Sequence, residues 1–123
     1  MKTKSIESIC DICKEHNKHA SNKYNQVTYC TVNRNGQHHS FRDRPSMEYG
    51  SGDKMWHKND KTHRVNGPAI EYAHGGKFWY KNGKHHRLDG PAVEYKSGKK
   101  YWWLNDVAYS EKDWAREVLK RKK

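Results

Sequence analysis

The chain has 123 residues, room for one domain, with 25 Lys and Arg against 14 Asp and Glu and a formal net charge of +11. Hydrophobic residues make up only 33%, which excludes a large Leu/Ile/Val core, although five Trp and eight Tyr supply broad apolar rings. No run of about 18 apolar residues occurs, so no helical membrane span is expected. The opening Met1-Lys-Thr-Lys leads into a stretch broken by Glu7 and Asp11, without a signal peptide's apolar centre. The three Cys do not have the spacing of a disulfide scaffold, so a reducing cytoplasm is the expected location.

Residues 1–23 form an N-terminal segment with helical spacing. Ser5 is a candidate cap for a helix reaching about Lys18, with Ile6, Ile9, Cys10 and Cys13 near one face. Cys10-x-x-Cys13, together with Cys30 and His38 or His39, has the ligand types of a Cys3His zinc site. The competing explanation is that free Cys on an apolar helix face acts as a small buried hydrophobe, and no second C-x-x-C is present. The expectation from sequence is no metal and no cofactor; were zinc bound, its ligands would be Cys10, Cys13, Cys30 and His39.

Residues 24–109 carry an internal repeat. THRVNGPAIEYAHGGKFWYKNGK, starting at Thr62, and HHRLDGPAVEYKSGKKYWWLNDV, starting at His85, are both 23 residues long. They share His-Arg, Gly-Pro-Ala, Glu-Tyr, Gly, Trp and Asn in phase. An earlier copy keeps Pro45, Glu48-Tyr49, Gly52, Trp56 and Asn59, and a fragment ends at Asn35-Gly36, out of phase by one residue. The copies cover roughly 24–37, 38–61, 62–84 and 85–107. Each contains two short strands around a Gly turn, followed by an Asn-Gly or Asn-Asp turn. The predicted fold is mainly β, an antiparallel meander of hairpin repeats. A two-residue Ser97-Gly98 loop sets Val93 opposite Trp102 and Glu94 opposite Tyr101, and likewise Ile70 opposite Trp79 and Met47 opposite Trp56. Each Trp then shares a face with an aliphatic residue, about 10 Å from the next Trp. Glu48, Glu71 and Glu94 fall on the other face with Phe78, Tyr80, Tyr101 and Trp103.

The pattern W-x-x-N-G-x-x-H-R-x-D-G-P-A-x-E-Y-x-x-G, carried by Trp56 to Tyr72 and most fully by Trp79 to Trp102, resembles a variant of the MORN-type repeat. This variant occurs in small proteins of tailed phages and large DNA viruses. The resemblance spans about residues 38–114. It implies a hairpin-repeat scaffold for interaction, a viral source and no shared catalytic residues. Arg44-Pro45-Ser46 in place of Gly-Pro-Ala marks the first full copy as an edge or capping unit.

Residues 110–123 form a C-terminal helix and basic tail. Ser110 followed by Asp113 approximates a capping box, and Trp114, Val118 and Leu119 are expected on one face docked to the sheet.

The sequence points to binding rather than catalysis: no GxSxG, HExxH or P-loop pattern is present. The positive excess is spread as +3, +5 and +3 over residues 1–40, 41–109 and 110–123. Lys54, Lys77 and Lys100 recur beside the Gly turns. The expected binding residues are Arg64, Arg87, Lys77, Lys100, Tyr80, Tyr101 and Trp103. Against this, the His-Arg pairs at repeat spacing also suit a role in the fold, with Arg stacked on Trp or paired with Glu. The leading expectation is a non-catalytic, virus-encoded module that binds and modulates a host protein with an acidic surface. The alternative is non-sequence-specific nucleic-acid binding by the basic charge and exposed rings. An open meander also leaves edge strands through which two copies could pair.

Overall fold

The computed structural model describes residues 9–121. Ser5 and Ile6 of the predicted helix start, and Lys122 and Lys123 of the tail, lie outside them. The described helix α1 is Asp11–His19, with Cys10 at its N-cap. It is followed by β1 (Val27–Cys30), β2 (Met47–Tyr49), β3 (Lys54–Met55), β4 (His57–Lys58), β5 (Lys61–Thr62), β6 (Ile70–Glu71) and β7 (Lys77–Phe78). Then come β8 (Tyr80–Lys81), β9 (Lys84–His85), β10 (Val93–Glu94), β11 (Lys100–Leu104), β12 (Val107–Tyr109) and α2 (Glu111–Arg121). An eight-stranded antiparallel sheet runs β1-β2-β3-β6-β7-β10-β11-β12, and the pairs β4-β5 and β8-β9 extend it beyond each Trp. The mainly β meander expected from the repeat is the observed fold.

The two turns of a copy differ in length. The Asn turns are two-residue hairpins: Lys58 pairs with Lys61 and Lys81 with Lys84. Asn59, Asp60, Asn82 and Gly83 all have positive φ, as such loops require. The Gly turns instead close over three residues. The Tyr95 N–H donates to the Lys99 carbonyl, leaving Lys96, Ser97 and Gly98 in the loop, with Gly98 at φ +96°. Tyr72 with Gly76 and Tyr49 with Asp53 repeat the pattern.

This third loop residue corrects the predicted register by one position. Val93 pairs with Tyr101, Ile70 with Phe78 and Met47 with Met55; Glu94 pairs with Lys100. Directly paired residues share a face, so the one-residue change exchanges the faces assigned to the Trp and the other rings. One face carries the row Cys30, Met47, Met55, Ile70, Phe78, Val93 and Tyr101 across consecutive strands. The other carries Glu48, Lys54, Glu71, Lys77, Glu94 and Lys100, alternating in sign at every step. Opposite charges at cross-strand positions favour this register by a few tenths of a kcal/mol each, to about 1. Trp79 and Trp102 therefore lie with the Glu and Lys row, and Phe78, Tyr101 and Trp103 lie with the aliphatic residues.

Helix α1 covers the first part of the apolar row. Ile9, Cys13, Val27, Cys30 and Met47 form its buried cluster, with Tyr49 and Met55 packed against it. The Asn17 side chain completes a strand-like pair with β1, accepting the Val27 N–H at 2.7 Å and donating to the Val27 carbonyl at 2.9 Å. At the far end Ser110 Oγ caps α2 by accepting the Asp113 N–H. Val118 and Leu104 are buried, and Trp114 Nε1 donates to the Arg87 carbonyl at 2.9 Å. Leu119, expected on the docked face, is 64% exposed.

Copies are joined by the His-Arg pairs. Arg64 lies 3.8 Å over the Trp56 ring of the preceding copy, and Arg87 lies 3.7 Å over Trp79. Each guanidinium also donates to its own Pro carbonyl and Glu: Pro68 and Glu71 for Arg64, Pro91 and Glu94 for Arg87. A planar fork with a stacking face is needed for both contacts at once, which lysine lacks. Arg87→Ala is expected to cost about 2–3 kcal/mol on urea denaturation, from the lost stack and charge-assisted hydrogen bonds. Arg87→Lys should recover less than half of it; full recovery would show that charge alone suffices.

Candidate functional site

The sequence-predicted binding residues do not converge on one surface. Arg64 and Arg87 are engaged by Trp, Glu and Pro within the fold, and Arg64 also pairs with Asp43 at 3.0 Å. Lys77 and Lys100 are exposed on the charged face. Tyr101 and Trp103 stand on the opposite, ring-bearing face, where Trp103 and Tyr80 pack on His85 with ring centroids at 5.0 and 4.3 Å. Among the described residues Trp103 Nε1 is buried without a hydrogen-bond partner.

On the ring-bearing face, beyond the reach of α1, four rings meet edge-to-face in series. Tyr72 to Phe78, Phe78 to Tyr95 and Tyr95 to Tyr101 are separated by 5.5, 5.7 and 5.8 Å between centroids. Tyr95 and Tyr101 remain 44% and 46% exposed. The series begins beside a groove of about 490 Å³ between α1 and the sheet, lined by His16, Tyr24, Tyr49, Met55, Ile70 and Tyr72. Sequence reasoning identified Tyr101 but missed Tyr72 and Tyr95. Both precede a Gly turn by the same interval, so the repeat phase already carried that signal.

The charged face has repeated concavities. One, of about 670 Å³, includes His63, Arg64, Val65, Trp79, Lys81 and His86; another, one copy earlier, includes His39, Trp56, Lys58 and His63. The histidines here serve the repeat. His39, His63 and His86 each accept, at Nδ1, the N–H of the next Asn turn: Asn59 at 3.2 Å, Asn82 at 2.9 Å and Asn105 at 3.1 Å. Burial and then the nearby Lys58 and Lys81 hold His63 below the usual histidine range; burial, Lys81 and Arg121 do the same for His86.

The first copy has its own polar centre. Ser46 replaces the buried Ala69 and Ala92, and its Oγ lies 2.6 Å from His57 Nδ1. Burial, with a smaller effect of His38, lowers the His57 pKa to about 4, so the ring is neutral. Beside it, Cys10, Cys13, Cys30 and His38 bring one ligand atom each within 4.8 Å of one another. His38 Nε2 is 3.3 Å from Cys13 Sγ and 3.5 Å from Cys10 Sγ, and the Cys10 N–H donates to Cys30 Sγ at 3.2 Å. Hydrogen bonding from Cys13 lowers the Cys30 pKa against the opposing effect of burial, while the Cys30 contact and then burial raise Cys13. The Cys30 contact likewise raises His38. His39, the histidine expected in a zinc set, is absent from this cluster: it bonds Asn59 and packs against Phe41 at 4.8 Å.

No family model matches the chain, and neither a curated protein nor a solved structure is detectably similar to it.

The histidine acceptors predict a pH dependence. A ring whose folded pKa lies below its unfolded value of about 6.5 contributes stability that is present above that pH. The contribution is lost as the pH falls through the lower folded pKa. His63→Gln with His86→Gln should therefore be less stable than the parent near neutral pH. Its stability should also fall less steeply than the parent's between about pH 6.5 and 5, by urea denaturation at each pH. An unchanged slope would show that these rings do not titrate with unfolding.

Proposed function

We propose that the chain is a non-catalytic repeat module, of a MORN-like kind, that binds a protein partner through its ring-bearing face. The observation that carries this reading is the Tyr72–Phe78–Tyr95–Tyr101 series, which continues past the end of α1 with its last two rings nearly half exposed. Exposed, preordered tyrosines supply large contact area at low cost in side-chain entropy, the property of interface anchors. The net charge of +11 favours a partner with an acidic surface and speeds encounter with it. The repeated Arg and His are taken up by the fold, which supports a scaffold role over catalysis. The sequence pattern makes a host protein bound by a virus-encoded factor, in a host cytoplasm, the first partner class to test.

The test is affinity capture from nuclease-treated host extract with the parent and with Tyr95→Ser/Tyr101→Ser. The reading expects a protein captured by the parent, released progressively by salt, and lost with the variant while its circular dichroism is unchanged. Equal capture by both proteins would contradict it. So would an extract that yields no protein while, in a separate gel-shift titration, the parent binds nucleic acid with an affinity that falls steeply with salt.

A further inference from the structure

We propose that Cys10, Cys13, Cys30 and His38 bind one Zn2+ in a closed tetrahedral site. The four donors come from three separate parts of the chain: the start of α1, the end of β1, and the loop that returns from β1 to β2. Three thiols and an imidazole, each with its donor atom turned toward the others, form a soft set that suits zinc. With zinc–sulfur and zinc–nitrogen bonds of about 2.3 and 2.0–2.1 Å, the sulfur–nitrogen edge of a tetrahedron is about 3.6 Å. The observed edges to His38 Nε2 are 3.3 and 3.5 Å. A merely hydrophobic pair of cysteines would not require a histidine nitrogen aimed at both sulfurs.

The surroundings fit bound metal independently of the distances. Cys10 occupies the N-cap of α1 without a side-chain capping bond, and Cys13 lies in the first turn, so the helix N-terminus faces the sulfurs and favours thiolates. The Cys10 N–H on Cys30 Sγ does the same for the third sulfur. On the far side of the imidazole, Asp60 Oδ1 lies 3.5 Å from His38 Nδ1 and accepts the His38 backbone N–H at 2.6 Å. A carboxylate in that place fixes which ring nitrogen is offered to a metal.

The repeat supplies this orientation. His85 and Asp106 make the same arrangement, with Oδ1 at 3.4 Å from Nδ1 and 2.7 Å from the backbone nitrogen. There the imidazole packs between Tyr80 and Trp103. In the first copy the equivalent ring meets the three cysteines instead. The metal would hold α1 over Val27, Met47 and Met55, closing the apolar row at the β1 edge.

The test is a Co2+ titration of the full chain, reduced and stripped of metal. The parent should bind one equivalent with the visible bands and thiolate charge-transfer absorption of tetrahedral cobalt, bleached by one equivalent of Zn2+. His39→Ala should behave as the parent, and Asp60→Asn should bind about 10–100-fold more weakly. His38→Ala should lose the parent spectrum. Absence of stoichiometric binding by the parent overturns the site, and that result needs no variant to fold. A parent spectrum kept by His38→Ala and lost by His39→Ala overturns the ligand set.

Discussion

Side chains along a strand alternate with a period of two, so the length of each Gly loop decides what the whole sheet presents on its two sides. Three residues in that loop place Met47, Met55, Ile70, Phe78, Val93 and Tyr101 in one row and the Glu and Lys positions in the other. Everything else follows from this division. The apolar row offers Cys30 and Met47 to α1. The charged face sets each Trp where the next copy's Arg can lie on it. A two-residue loop would instead move each Trp to the aliphatic side and Phe78 and Tyr101 to the side of the glutamates, so Arg87 could not meet Trp79 and Glu94 together.

The sheet is a single layer with a small aliphatic complement, and it is held differently along its length. At the start α1 buries one side with Ile9 and Cys13, and at the end α2 brings Val118 and Trp114. Between them, rings do the covering. Ile70 and Val93 are 9% and 4% exposed although neither helix packs on them as it does on the first and last strands. Tyr72, Phe78, Tyr95 and Tyr101 overlie that region, which explains why so polar a chain carries so many aromatic residues. Under the proposed protein-binding role, stability and recognition would draw on this one set of side chains.

The repeat, its period, the Asn turns, the C-terminal helix and the Arg–Trp link were legible because each rests on local chemistry: Asn-Gly at positive φ, Pro at a strand start, Ser110 at a helix cap. The N-terminal helix was legible in its apolar spacing but not in its start, since Cys10 stands at the N-cap of α1 without a side-chain bond. The register was not, because Ser97-Gly98 and Lys96-Ser97-Gly98 end on the same glycine. The favoured two-residue loops need positive φ at their first position, and type I′ at both, which Asn82-Gly83 satisfies readily and Ser97 does not; that difference was a usable signal. The choice between His38 and His39 was also encoded in the repeat phase. His39, His63 and His86 each stand four residues after a turn Asn and are occupied by the next turn, whereas His38 shares the place of His85. Burial of the cysteines together was beyond the sequence, because it depends on α1 crossing β1. Leu119 was misplaced by helical spacing alone, since only the width of the docked stripe decides whether a neighbour of Val118 is covered.

The most direct measurement of this account is nuclear Overhauser contact across the hairpins in solution. The register predicts cross-strand contacts from Val93 to Tyr101 and Phe78, and from Ile70 to Phe78 and Met55. It also predicts contact between the Arg87 side chain and the Trp79 ring. Contacts of Val93 with the Trp102 ring and of Ile70 with the Trp79 ring, in place of these, would contradict it.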